Sequence, residues 1–527
     1  MQTTPPRRIW PYLLVNLVAA VWIDFTSFHR LMTSDSIIFV LASLYEMRFF
    51  YWEQDRVGMM IPLLASWCSH PFHNLLLQSG MMLFAGLTLP VLLARVLSPH
   101  RMGALAATVA NGLFLLLAPD ALHLETLLLC NYPSALVLGL SAILVIESKP
   151  TTESRARGLS RIAAAGVLLI LAHWQYIGTV AFLGPLVAWR AWLGTGPAAP
   201  TPPKSPFDFA LRPLKDPRAK TLISLILLAF LTVSVGMREV RKSTPVVRTS
   251  PDSLPLAQWP ETWWHLAETT AMLTGTGGFA AALGGVCAVG LSADLAFRRK
   301  LLSTTALATL PACLAACVEV SMVGTREWTA INGYHPRYIL AAILAITTSL
   351  ALIGLIPILE RLPNRFEMLA LVVCGLLLLG GATARYGWPS VRAARDTIDE
   401  KCGAMTPTIV ETGCEAIGGD YWRVWLSMFH ANMVLYERGE DRVLLGIAYR
   451  CDPMSRRWAQ FPDGFRVAVR DDELSDTERM AELHGLTTPF VKIDGGRVIQ
   501  VPSHPTRLDI PGSPAGVGIY RTRPDMP

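Results

Sequence analysis

Charge is what this sequence has least of. Asp, Glu, Lys and Arg make up 16% of its 527 residues, against 52% hydrophobic ones, and the mean hydropathy is +0.39. Soluble domains carry about a quarter charged residues, so an ordinary water-soluble protein is excluded. Several reaction signatures are also missing. There is no Walker-type phosphate loop, no HExxH helix and no Gly-x-Ser-x-Gly elbow, which leaves those reaction classes without support. No group of His, Cys, Asp or Glu has metal-ligand spacing. The net charge of +6 is mostly a bias of short loops and gives no reason to expect nucleic acid as a partner.

The apolar residues come in blocks long enough to cross a hydrocarbon core of about 30 Å as helices. They cover about 10–28, 73–94, 102–118, 127–147, 160–174, 177–193, 220–236, 270–293, 303–323, 338–359 and 367–384. Eleven spans are therefore expected. Lys and Arg are retained on the cytoplasmic side during insertion. With Arg7 and Arg8 inside, the short inside segments hold nineteen of them and the short outside loops nine. The N-terminus is expected inside and, after an odd number of spans, the C-terminus outside. The first apolar stretch is too long for a signal-peptide core and lacks a small-x-small cleavage site, so it reads as a retained helix.

Residues 194–219, rich in Pro and basic side chains, read as a cytoplasmic linker between a six-helix unit and a five-helix unit. After residue 386 charges become frequent and short β-like runs appear: "RVLLGIAYR", "FRVAVR" and "PFVKIDGGRVIQV". The expected domains are thus a transmembrane part, 1–385, and an outside domain, 386–527, large enough for a core of its own. Cys402, Cys414 and Cys451 fall in that domain, where an oxidising compartment permits a disulfide. Three pairings are open, and one involving Cys451 is favoured. The other cysteines near spans, Cys130 among them, read as small buried thiols.

The first outside loop, 29–72, carries the first candidate site. "TSDSIIFVLASLYEM" opens with Ser34, Asp35 and Ser36, good helix caps, and continues as an apolar helix too short to span the membrane. Such a helix is expected to lie in the interface. Asp35 is then either a cap alone or a general base placed where lipid-linked substrates meet water. Downstream, "YWEQDR" sets Gln54, Asp55 and Arg56 beside the interfacial anchors Tyr51 and Trp52. That cluster is either a rim of self-paired charges or a clamp in which Arg56 takes phosphate and Asp55 or Gln54 binds hydroxyls.

A second constellation is "GTREWTAINGYHPRYIL", 324–340, an outside loop crowded with Arg326, Glu327, His335 and Arg337. Pro336 suits the first turn of the next helix, whose N–H groups would then favour an anion. Arg337 at that position opposes the helix dipole unless an anion balances it; snorkelling is the other reading. Glu319, His123, Glu125, His173, Gln175, Trp263, Trp264 and His265 are further polar or aromatic residues near outside ends.

The segments "TSDSIIFVLASLYEMRFFYWEQDRVGMMIPLLA", "YHPRY" and "IGGDYWRVW", with a first-loop Asp and an Arg-Tyr pair heading a late span, resemble the GT-C membrane glycosyltransferases. What the resemblance implies is a mainly α fold: a polytopic bundle of about eleven transmembrane helices, interfacial helices in the first outside loop and a C-terminal soluble α/β domain. It also implies transfer of a sugar from a polyprenyl-phosphate donor to a glycan, lipid or protein acceptor on the periplasmic face of a bacterial inner membrane. Asp35 matches the catalytic Asp and Arg337 the donor-phosphate Arg, with Tyr338 and His335 beside it. Asp24 is the fallback carboxylate. Some members use a divalent metal held by paired acids; Ser34 and Ser36 flank Asp35 here, so no cofactor is firmly implied. A transporter or flippase of a lipid-linked substrate remains the rival reading, and a noncatalytic assembly protein a third.

Overall fold

The structure, a computed structural model, describes residues 9–45, 58–98, 100–128, 131–148, 155–193, 215–243, 253–275, 278–297, 301–411, 413–449, 466–469, 490–493 and 496–500. Gln54, Asp55, Arg56, Cys130, Cys451 and most of the expected linker lie outside the described residues. The chain divides into two compact units. One takes residues 1–23, 80–239 and 249–387; the other takes 24–79, 240–248 and 388–527. Residues 24–79, which include the expected first loop, fall in the same unit as residues 388–527.

The first unit is helical. Among the described residues, seven helices are long and apolar enough to cross a membrane, or eight if Asp120–Leu128 and Tyr132–Glu147, bent by 53°, form one span. Three further expected spans fall on the 15-residue helices Trp10–Asp24, Gly103–Leu117 and Thr179–Leu193. At about 1.5 Å per residue such helices reach only about 22 Å. The span expected at 270–293 is broken: one helix ends at Gly275 and the next starts at Phe279, after Gly278 with φ +80°, a conformation glycine adopts without steric cost.

Leu340–Leu359, apolar all round, packs against Leu301–Glu319 and Phe279–Phe297. Gly290 and Gly354 bring two of them close enough that a Cβ on Gly290 would collide with the Gly354 backbone, a small-residue crossing typical of membrane bundles. The loop charges pair where they are not solvated. Arg101 Nε lies 2.8 Å from Glu360, and buried Arg190 lies 2.5 Å from Glu147.

The second unit contains a five-stranded sheet. Strands β1 (Ala416–Asp420), β2 (Leu445–Tyr449), β3 (Arg466–Val469), β4 (Phe490–Ile493) and β5 (Gly496–Gln500) lie in the order β2-β1-β3-β5-β4. β1 pairs in parallel with β2 and β3, and the other pairings are antiparallel. Tyr421–Glu437 connects β1 to β2 and packs on both, as a parallel pair requires a crossover. The same helix packs against Ser34–Tyr45 of the first loop. Residues Ser34 to Ser43 are all buried, so the helix expected to lie half in lipid is enclosed, as suits one that is apolar on every side. Phe28, Ile37, Ile38 and Phe429 share that core. Cys402 and Cys414 are both buried free thiols.

Three helices of this unit are tied together through His430. Its Nε2 is 2.8 Å from Asp399 Oδ1 and its Nδ1 2.7 Å from the Thr406 hydroxyl. Arg395 bridges Asp399, at 2.8 Å, and Glu437. The neutral ring satisfies both contacts, with Nε2–H donating to Asp399 and Nδ1 accepting from Thr406. Burial draws His430 below the ordinary value of 6.5, against the pull of Asp399. A folded-state pKa below the unfolded one gives stability that is present above pH about 6.5 and lost as pH falls through the folded value. The thermal midpoint of the purified protein should therefore drop on going from about pH 7.5 to about pH 5, and His430→Gln should flatten the slope. An unchanged slope in the variant would remove His430 as its source.

Candidate active site

In the second unit the helix over Ser34–Tyr45 is closed at its start by Ser36. The Ser36 hydroxyl accepts from Thr33 N–H at 3.1 Å and donates to Thr33 C=O at 2.7 Å, half of a capping box. Asp35 is only 9% exposed. Its Oδ1 accepts a hydrogen bond from the Tyr421 hydroxyl at 2.6 Å, short as expected for O–H to a carboxylate. Ser36 closes the turn, and the Asp35 carboxylate engages a residue 386 positions away.

Tyr421 is placed by local geometry in the "IGGDYW" stretch. Gly419, at φ +146°, carries β1 into the turn through backbone that favours glycine. Asp420 then caps the helix, its side chain accepting from Trp422 N–H at 2.9 Å. Tyr421 follows as the first helical residue, 2% exposed, with Trp422 and Trp425 edge-on to its ring at 5.2 and 6.4 Å. The sequence reading did not single out Tyr421; its only signal was membership of "IGGDYWRVW". The fallback Asp24 is committed elsewhere. It is buried, accepts a short bond from the Ser79 hydroxyl, and has His29 Nε2 3.4 Å from its Oδ1.

In the first unit the structure brings together His335, Arg337 and Tyr338. His335 caps the 3-10 turn Pro336–Ile339, with Pro336 at its first position as expected. Its Nδ1 accepts from Arg337 N–H at 3.3 Å. One of the donors expected to face an anion is therefore already taken. Arg337 donates to the Tyr338 hydroxyl at 3.0 Å, and its guanidinium lies 5.0 Å from the Tyr338 ring centre. His335, 44% exposed at its side chain, has Nε2 3.8 Å from the buried Glu125.

Glu125 sits in a π-helical turn, Leu124–Leu128, and buried Glu319 directly precedes another, Val320–Gly324. Such turns recur at functional sites. Burial above all, then the neighbouring Tyr132, Glu319 and Tyr338, push the Tyr176 phenol well up, against Arg326. This end of the unit thus gathers buried acids and tyrosines with arginines.

The remaining polar candidates read as structural. His123 bridges Tyr386 and the Phe114 carbonyl, His173 bonds the Leu169 carbonyl within its own helix, and His265 stacks on Tyr334 between Glu261 and Glu268. Among the described residues no group of three or more His, Cys, Asp or Glu could hold a metal ion.

No family model matches the sequence, and neither does any curated protein. Among solved structures the chain is similar to ArnT from Cupriavidus metallidurans bound to undecaprenyl phosphate, at 15% identity and a TM-score of 0.49, covering 93% of this chain and 97% of that one. The apo state of ArnT gives 13%, 0.46, 94% and 98%. An Archaeoglobus fulgidus oligosaccharyltransferase in complex with Zn and sulfate gives 12%, 0.37, 93% and 73%. These are likenesses in the course of the chain, and no residue role is taken from them.

Proposed function

We propose that the protein is an inverting membrane glycosyltransferase of the GT-C type. It moves a sugar from a polyprenyl-phosphate donor to an acceptor of the cell envelope on the outer face of a bacterial inner membrane. The observation that carries this reading is Asp35: a buried carboxylate in the first-loop helix, held by a tyrosine from a second segment that resembles the same family. The multi-pass helical architecture and the Lys/Arg bias support an N-terminus in the cytoplasm and residues 386–527 in the periplasm.

In this mechanism Asp35 takes the proton from the acceptor nucleophile as that atom attacks the anomeric carbon, and the bond to the lipid phosphate breaks on the opposite side. Arg337 stabilises the charge growing on the departing phosphate. Tyr338 aims the guanidinium, and His335 adds a donor at the same turn. Gln54, Asp55 and Arg56 hold donor or acceptor hydroxyls and phosphate. Acceptors in reach of this chemistry are lipopolysaccharide or another glycan, a lipid or a protein.

The test compares envelope glycans and lipids from cells with and without the protein. One glycosylated species should disappear, leaving its unmodified form one sugar lighter, while the polyprenyl-phosphate sugar accumulates on the outer leaflet. Accumulation on the cytoplasmic leaflet would instead identify a flippase, and unchanged glycans would overturn the transferase.

A further inference from the structure

Asp35 and Tyr421 are both buried, and a 2.6 Å bond joins them within the second unit. Carboxylates so enclosed are costly in the ionised form unless hydrogen bonds compensate. A base must nevertheless be ionised before it can accept a proton. The phenol reaches Asp35 from Tyr421–Glu437; Met60–Ala65, which also packs on the Asp35 helix, carries no titratable side chain, and from Pro71–Leu97 the amides of Asn74 and Gln78 bond the Ser43 hydroxyl and the Phe39 carbonyl of that helix. Tyr421 itself has little freedom: strand β1, the Asp420 cap and the rings of Trp422 and Trp425 determine where its hydroxyl points.

From this geometry we infer that Tyr421 is the positioning residue of the catalytic carboxylate, and that the C-terminal segment therefore completes the active centre of the first loop. The inference rests on the reading of Asp35 as the general base. The phenol O–H donates to Oδ1, favours the ionised carboxylate and holds its rotamer. Tyr421 stays protonated throughout and touches no reacting atom. The strand–cap–helix stretch "IGGDYW" acquires a role in transfer beyond packing.

The experiment uses the full chain in spheroplasts of a strain lacking its own copy, where the outer face of the membrane meets the buffer. The readout is the rate at which the envelope species lost in the deletion strain reappears, measured across pH. Tyr421→Phe should lower the rate about tenfold, the worth of one hydrogen bond to a charged group. It should also move the acid limb of the profile upward by about one pH unit, because a donor to the ionised form has been removed. Site-specific 3-fluorotyrosine at 421 keeps the volume and the hydroxyl, preserves the fold, and should move that limb downward. A uniform loss at every pH, or a wild-type profile in Tyr421→Phe with the limb unmoved by 3-fluorotyrosine, would assign Tyr421 to packing alone. Asp35→Asn in the same cells separates the two ideas: restored modification there overturns the base itself, whereas an inactive Asp35→Asn beside a wild-type Tyr421→Phe overturns only the positioning role.

Discussion

Asp35→Asn is expected to abolish sugar transfer while leaving the protein expressed, inserted and folded. An amide has the shape of the carboxylate, and its oxygen can still accept from the Tyr421 hydroxyl that lies 2.6 Å from Asp35 Oδ1. The substitution removes a charge from a site only 9% exposed while keeping the side-chain volume. What is lost is basicity. A positioned general base contributes about 10²- to 10⁴-fold, so the envelope species made by the wild type should fall below detection in cells expressing the variant at matched levels. The competing readings expect something else. A noncatalytic assembly protein keeps the modification, since the shape of residue 35 and its bond from Tyr421 survive. A flippase that does not use Asp35 as a proton carrier keeps it too. Retained modification, together with a normal thermal midpoint, would sink the enzymatic assignment.

Much of the helical layout was legible in the sequence because a membrane span is a local property. Each expected span overlaps a helix, but length separates them: Trp10–Asp24, Gly103–Leu117 and Thr179–Leu193 have 15 residues each. Near Gly278 a glycine-rich stretch ends one helix and starts another, which a hydropathy window averages away. The runs read as β-like became β2 to β5, where Val, Ile and Tyr suit pleated backbone. Strand β1 was not legible. "AIGGD" has two glycines and little β propensity, and its parallel neighbours on both sides make it a strand.

The site divides in the same way. Ser34, Asp35 and Ser36 marked a helix start, and Pro336 marked the turn before Arg337, because capping and proline effects act within a few residues. The partner of Asp35 was not visible, since no periodicity links positions 386 apart. Nor was the burial of Ser34–Tyr45. An apolar helix too short to span can lie in an interface or inside a core, and only its packing on Tyr421–Glu437 decides.

Arg337→Ala should weaken apparent donor affinity about 10- to 100-fold, the range for losing hydrogen bonds to a charged group. The effect should be larger at low ionic strength, where exposed charges are less screened. Snorkelling, the other account of this residue, would place the guanidinium in the headgroup region with no fixed partner. The structure instead ties it to the Tyr338 hydroxyl at 3.0 Å and anchors its backbone N–H on His335. Tyr338 is 6% exposed, so the hydroxyl that Arg337 bonds is carried by a buried ring. Lysine tests the geometry separately from the charge. Arg337→Lys keeps the cation but not the planar fork that grips phosphate through two N–H groups, and an intermediate loss is expected. Transfer rates measured against donor concentration in proteoliposomes, using synthetic polyprenyl-phosphate hexoses and pentoses, distinguish the cases. A loss confined to apparent donor affinity supports ground-state phosphate binding, and an equal fall in turnover places Arg337 on the departing phosphate in the transition state. Unchanged affinity and turnover in Arg337→Ala would leave the residue a membrane anchor and move the search for the phosphate ligand to Arg56.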